Sequence, residues 1–280
     1  MAPASFHEVG RAADEVLRSD FVLAAAKLPL CCRSAGGVEV ASEGMLAAGG
    51  KGVSGRLSFK LAPLPGVDVK KLAVDTAGRM QGEVRVEHAA LQGAAVTLKA
   101  EDGAGAPTTA EVGLDYMAGP LNLSASVDVT SPGGPALWGA GTVAYEQFFV
   151  GGEVKYATGN KEQPLADYNA CAGYVAGDIT AALQTKSKAS QVQLSVHQKY
   201  SKDVELATEY IHSRKLLTVG ALYKLDASTT LQGKVDSCGL VSCNALQVIS
   251  AGVKLVSSVE IDATNLAGDA HRFGMTLHLG

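Results

Sequence analysis

The chain has 280 residues, of which 47% are hydrophobic and only 19% charged, with 32 glycines and a formal net charge of −4. The acidic balance excludes a nucleic-acid binder, which needs a basic footprint to neutralise phosphates. The charge content is low for a surface that meets only water.

The opening segment, MAPASFHEVGRAADEVLRSDF, has charges spread through it and no apolar core of the kind a secretory signal carries. Ser5 and Glu8 stand at the capping-box spacing and predict a helix that ends near Ser19. Phe6, Val9, Ala13, Val16 and Leu17 fall on one stripe of that helix, with Glu8, Arg11, Glu15 and Arg18 on the other. Two arginines among the acids make plain adhesion to an anionic membrane a poor reading. The expected organisation is an N-terminal helical segment, 1–23, followed by a single β-domain, 24–280.

From residue 24 onward the pattern is two-residue alternation bounded by Gly, Pro, Asp or Asn. Residues 82–88 (GEVRVEH) set Glu83, Arg85 and Glu87 against Val84 and Val86. Residues 95–101 (AVTLKAE) set Thr97, Lys99 and Glu101 against Val96 and Leu98. Residues 121–129 (LNLSASVDV) set Asn122, Ser124, Ser126 and Asp128 against Leu121, Leu123, Ala125 and Val127. Residues 190–200 (SQVQLSVHQKY) set Gln191, Gln193, Ser195, His197 and Lys199 against Val192, Leu194 and Val196. Lys254 and Arg272 sit in the same way in the last two alternating stretches.

There are roughly nineteen such segments of about 9–10 residues, a length suited to a tilted strand crossing a bilayer rather than to a sandwich strand. The longest uncharged runs, 129–145 and 237–253, fall short of a membrane helix of about 20 apolar residues. A closed barrel of that many strands is too wide for side chains to fill, so its polar face would line water and its apolar face would meet lipid. The expected class is therefore an all-β transmembrane barrel. A soluble ligand-binding β-protein, with the two faces reversed, is the alternative that the pattern leaves open.

Other motifs carry little. Cys31, Cys32, Cys171, Cys238 and Cys243 lack zinc-ribbon spacing and are expected to be free thiols, the first two on opposite faces of one strand. GAGTVA, residues 139–144, meets a dinucleotide pattern but no βαβ unit surrounds it. The six histidines, His88 among them, show no metal-ligand spacing, and no catalytic constellation is present, so no metal, no cofactor and no enzymatic activity are expected.

Residues 223–237 (YKLDASTTLQGKVDS) resemble the signature of the eukaryotic porins, the voltage-dependent anion channels of the mitochondrial outer membrane. Tyr223, Asp226, Gly233, Lys234 and Asp236 fit that signature, while Cys243 and Ala245 stand where larger aliphatics are usual. Residues 6–21, 143–156 and 267–279 are similar to the corresponding parts of the family.

The resemblance implies nineteen strands, antiparallel except for a parallel first and last pair, with the helix inside the lumen. It also implies a voltage-gated, weakly anion-selective channel at the mitochondrial outer membrane. Its permeants would be ATP, ADP, phosphate and ions, and its partners membrane lipids and either further copies of the chain or other outer-membrane proteins. A related barrel serving as an import pore or scaffold is the functional alternative.

On the family's layout and the alternation, the anion-attracting candidates are Arg11, Arg18, Lys27, Arg33, Arg85, Lys99, Lys199, Lys234, Lys254 and Arg272. The opposing carboxylates are Glu83, Glu87, Glu101, Glu111 and Asp128. Three departures from animal members stand out. Residues 19–24 (SDFVLA) lack the hinge glycines. Glu111 and Gly113 replace lysines associated with nucleotide contact. Leu72 aligns with a membrane-facing glutamate.

Overall fold

Period-two alternation commits the backbone to extended structure, and short turns between successive stretches make each strand pair with the next. The computed structural model describes residues 5–280 apart from 24, 34–37, 48–51, 62–63, 65, 88–92, 104–105, 132, 160–163 and 269–270. The His88 position falls in these gaps, and nothing is described of the Arg33 side chain.

The strands in chain order are β1 (Ala25–Arg33), β2 (Glu39–Ala47), β3 (Val53–Lys60), β4 (Val67–Asp75), β5 (Met80–Glu87), β6 (Ala94–Gly103) and β7 (Ala106–Ala118). Then come β8 (Leu121–Asp128), β9 (Ala136–Tyr145), β10 (Phe148–Ala157), β11 (Leu165–Ala176), β12 (Ile179–Lys186) and β13 (Gln191–Lys199). The last six are β14 (Val204–Ile211), β15 (Leu216–Lys224), β16 (Thr229–Asp236), β17 (Leu240–Ser250), β18 (Val253–Asp262) and β19 (Arg272–Leu279).

All nineteen form one sheet in which every strand pairs with its sequence neighbours. β1 also pairs with β19, and this junction is parallel, with Ala26 beside Met275, Lys27 beside Thr276 and Leu30 beside Leu279. An odd number of up-and-down strands leaves the first and last running the same way, so a parallel pair is the geometry that closes the ring. The barrel measures roughly 35–40 Å across its backbone for this strand count and a usual tilt. No helix among the described residues is long and apolar enough to cross a membrane.

The N-terminal segment departs from the single helix that its spacing predicts. A 3-10 turn, Phe6–Glu8, comes first, with the Glu8 carboxylate accepting from the Ser5 backbone N–H at 3.2 Å. The helix proper, α1 (Arg11–Arg18), starts after Gly10, whose φ of 80° is left-handed. Glycine adopts that conformation without steric cost, and it breaks the helix there.

The break redirects the apolar stripe. Phe6 and Val9 pack with Cys171 and Ala182 against Ala140 and Phe149. Ala13, Val16 and Leu17 pack with Ala207 against Leu222. Gly10 also runs close to the barrel wall, since a Cβ there would stand 3.2 Å from Ser195 Oγ. Replacing Gly10 by Ala combines left-handed strain with this contact, and should destabilise the folded barrel by about 1 kcal/mol or more. Urea unfolding in lipid vesicles checks it.

Candidate pore lumen

The two faces of the barrel differ in chemistry. On β13, Gln193, Ser195 and His197 are buried while Leu194 is exposed. Ser195 lies beside Gly10 of the N-terminal segment, which identifies the polar series as the inner one. Carried around the ring by the pairing register, the inner series includes Glu209 opposite Ser195, Gln232 opposite Leu222, Asn244 opposite Gln232 and Ser258 opposite Asn244. The outer series is apolar and exposed, as at Leu98, Val112, Leu114, Leu123, Val150 and Leu183.

Turn positions show two rims, and outward aromatics stand at both. Tyr116, Tyr145, Phe148, Tyr174 and Tyr223 sit near one rim, with Tyr156, Tyr168, Tyr210 and Phe273 near the other. An apolar band between aromatic girdles is the surface a lipid bilayer requires of a barrel.

Inside, the helix is tied to the wall mainly by its C-terminal end. Arg18 donates to both carboxylate oxygens of Glu209, at 2.6 Å to Oε1, and Glu209 is only 2% exposed. Gln232 Nε2 donates to the Glu15 and Val16 carbonyls at 2.9 and 3.0 Å, groups that a helix terminus leaves without internal partners.

The segment beyond is also held. The Lys234 ammonium lies 4.3 Å from the centre of the Phe21 ring. Ser258 Oγ accepts from the Val22 N–H at 3.3 Å and donates to the Asp20 carbonyl at 3.1 Å. At the other end, His7 stacks on Trp138 with ring centres 4.7 Å apart, and Trp138 Nε1 donates to Glu153 at 3.1 Å. A space of about 530 Å³ lies between Ser5 and His7 and the wall carrying Glu83, Arg85, Lys99, Glu111 and Lys155.

The candidate charges fall as follows. Glu83 stands opposite Lys99, and Lys99 opposite Glu111, so one row crosses β5 to β7 with alternating sign. Glu111 in turn faces Asp128, the one like-charged pair of that row. Arg85 pairs with Glu87 at 3.0 Å. Glu101 accepts from Arg79 and, at 2.8 Å, from Gln81. Lys27 pairs with Glu43 at 3.7 Å, and Arg33 is placed by register opposite Glu39. Lys199 faces Glu205, Lys254 faces His278, and Arg272 lies 3.8 Å from Glu260. Arg11 is held along the helix surface by Glu8 and Glu15 at 3.6 and 2.9 Å.

Asp128 has a second task, since its Oδ1 accepts from the Thr130 N–H at 3.0 Å and so caps the turn after β8. Two signature residues act alike. Asp226 accepts from the Ser228 and Thr229 N–H groups at 2.6 and 2.7 Å in the turn before β16. Asp236 accepts from those of Cys238 and Leu240 at 2.9 and 3.0 Å in the turn after it. The Ser228 hydroxyl and N–H hold the Asp226 carboxyl below the usual carboxylate range. Tyr223 is outward and exposed, and Gly233 is outward with open space around its Cα.

The groups that dock the helix, Glu209, Gln232 and Ser258, are absent from the sequence-derived candidates. Alternation in residues 204–211 puts Glu205, Ala207 and Glu209 on one face, but nothing local singles out the residue that an arginine 191 positions earlier will reach. Leu72 is outward, and the five cysteines are unpaired, with Cys171 buried against Phe6 and Val9 and the others exposed.

A closed barrel with an apolar belt outside and a polar wall inside is a β-barrel membrane pore. The chain matches the eukaryotic porin family over residues 2–274 and belongs to it. It is 25% identical over 287 residues to the non-selective voltage-gated ion channel VDAC2 of Xenopus laevis, covering 99% of each chain. It is 24% identical over 284 residues to the non-selective voltage-gated ion channel VDAC3 of Oryctolagus cuniculus, covering 98% of each. It is thus a porin-type channel and not an enzyme.

Removing one partner of a buried ion pair leaves the other charge uncompensated, an effect reduced here because Arg18 is half exposed. Arg18→Ala should therefore cost about 1–3 kcal/mol, and most of that should be absent when the same change is made in an Glu209→Ala background. A double-mutant cycle of urea unfolding measures it.

Proposed function

We propose that this protein is a voltage-gated, weakly anion-selective diffusion channel of the mitochondrial outer membrane that passes ATP, ADP, phosphate and small ions. The observation that carries this reading is the polar inner wall of a closed nineteen-strand barrel, narrowed on one side by a docked helix. The names of the relatives, which describe non-selective voltage-gated ion channels, support the voltage-gated channel in this reading, while the anion preference rests on the inner charges alone.

The filter is electrostatic. Permeants keep their water, and discrimination comes from the field of the inner charges within a Debye length of about 8–10 Å of the permeation path. Alternation of sign along the row from Glu83 to Glu111, together with the pairs at Arg85–Glu87 and Arg272–Glu260, cancels much of that field at short range. Weak selectivity follows, because neighbouring charges of opposite sign offset one another and only the residual field acts on a passing ion. Lys99, Lys199, Lys234 and Lys254 are the basic groups assigned to attract anions, and Glu83, Glu111 and Asp128 those assigned to oppose them.

Lys99 is the most informative position, since it separates Glu83 from Glu111. Lys99→Glu joins those carboxylates into one acidic stretch and should move the reversal potential under a salt gradient toward the cation limit. Glu83→Lys should move it the other way. Unchanged reversal potentials in both variants would remove this row from the filter.

A further inference from the structure

The outer series offers one exception to its apolar chemistry. Among the described strand residues it carries no Lys, Arg or Glu, and a single Asp, Asp102, which the register places beside the outward Met80 near the end of β6. The bulged Lys70 is no second case, because it borders the lumen and pairs with Asp68 at 2.6 Å. A carboxylate on the lipid-facing side is costly unless it lies near the interface and finds a partner there.

Asp102 is exposed, and its Oδ1 accepts from the Thr108 hydroxyl at 2.8 Å. No basic side chain among the described residues pairs with it. Arg79, next to Met80 in sequence, gives its guanidinium to Glu101 instead.

The same place holds a groove of about 340 Å³ in the outer face. Its floor is made of small residues on three adjacent strands, Gly82, Ala100 and Ala110, which the register aligns in one row. Leu72 and Met80 rise beside it, and Asp102 and Thr108 close its rim end. An apolar channel that ends in a carboxylate at headgroup depth is complementary to an amphiphile with an apolar chain and a cationic head.

We propose that this groove binds a phospholipid whose headgroup carries a primary ammonium, with one acyl chain along Gly82, Ala100 and Ala110 and the ammonium on Asp102. A primary ammonium has N–H donors for a charge-assisted bond to the free Asp102 oxygen, whereas a choline head has none. Lipids with a net negative head are disfavoured by the same carboxylate.

The test uses the full chain in phosphatidylcholine vesicles containing a trace of either a phosphatidylethanolamine or a phosphatidylcholine analogue with a photoactivatable acyl chain. Crosslinks are mapped by peptide, and conductance is recorded from the same preparations to show that the pore is intact. The ethanolamine analogue should label β5–β7 severalfold more than the choline analogue. Asp102→Asn, an isosteric change, should bring the two to parity without altering conductance, and Ala100→Phe, which fills the floor, should reduce labelling by both. Equal labelling of the native chain, a preference that survives Asp102→Asn, or labelling indifferent to Ala100→Phe would overturn the proposal. A chain that forms no pore would instead count against the channel reading.

Discussion

Every backbone N–H and C=O that meets hydrocarbon has to find its partner within the protein, because the bilayer core offers no water to replace it. A sheet with a free edge fails that requirement over the whole length of the edge. The pairing of β1 with β19 removes both edges at once, and everything else in the structure depends on it. The ring it closes is too wide to pack solid, so the inner face must be wetted, and the inner side chains must be polar for that reason. The outer face must then be apolar, since lipid is all it touches.

The helix is the second consequence. A wide polar lumen has few apolar surfaces, yet the wall provides two patches, around Cys171 and Ala182 and around Ala207 and Leu222, that receive the apolar residues of the N-terminal segment. Burial of these patches is accompanied by polar anchoring. The carbonyls at the end of α1 meet Gln232, and the Arg18 charge meets Glu209. These groups sit on β14 and β16, so one side of the lumen is committed to holding the helix. The side carrying the Glu83–Lys99–Glu111 row stays open to solutes. Closure, docking and the location of the free charges are therefore linked: a shift of the helix would uncover apolar wall and strand a buried carboxylate.

Much of this architecture is visible in the chain. Strand faces follow from alternation, since Gln193 and Ser195 fall on the buried series and Leu194 on the exposed one, and both lengths and turn positions follow from the punctuation by Gly, Pro and Asp. The odd count and the parallel closure came from the resemblance to a family, because local periodicity carries no information about which ends meet. The break at Gly10 is not legible in the sequence because the apolar spacing stays compatible with a continuous helix; the left-handed φ and the nearby Ser195 wall show why a glycine sits there. Glu209 and Gln232 escaped for a related reason: their roles exist only once two segments far apart in sequence are brought together. The signature residues Asp226 and Asp236 turn out to be turn-closing groups at the two ends of β16, so that part of the family resemblance reflects construction of the barrel.

Polar positions face water inside the barrel and apolar positions face lipid outside it. Single cysteines on β7 of a cysteine-free variant test this arrangement most directly, with the charged maleimide reagent applied to protein in vesicles. Gly113→Cys and Asp115→Cys should react with the reagent and change the conductance, while Val112→Cys and Leu114→Cys should be protected and instead be quenched by brominated lipid when carrying a fluorophore. Reaction at 112 and 114 with protection at 113 and 115 would contradict the account.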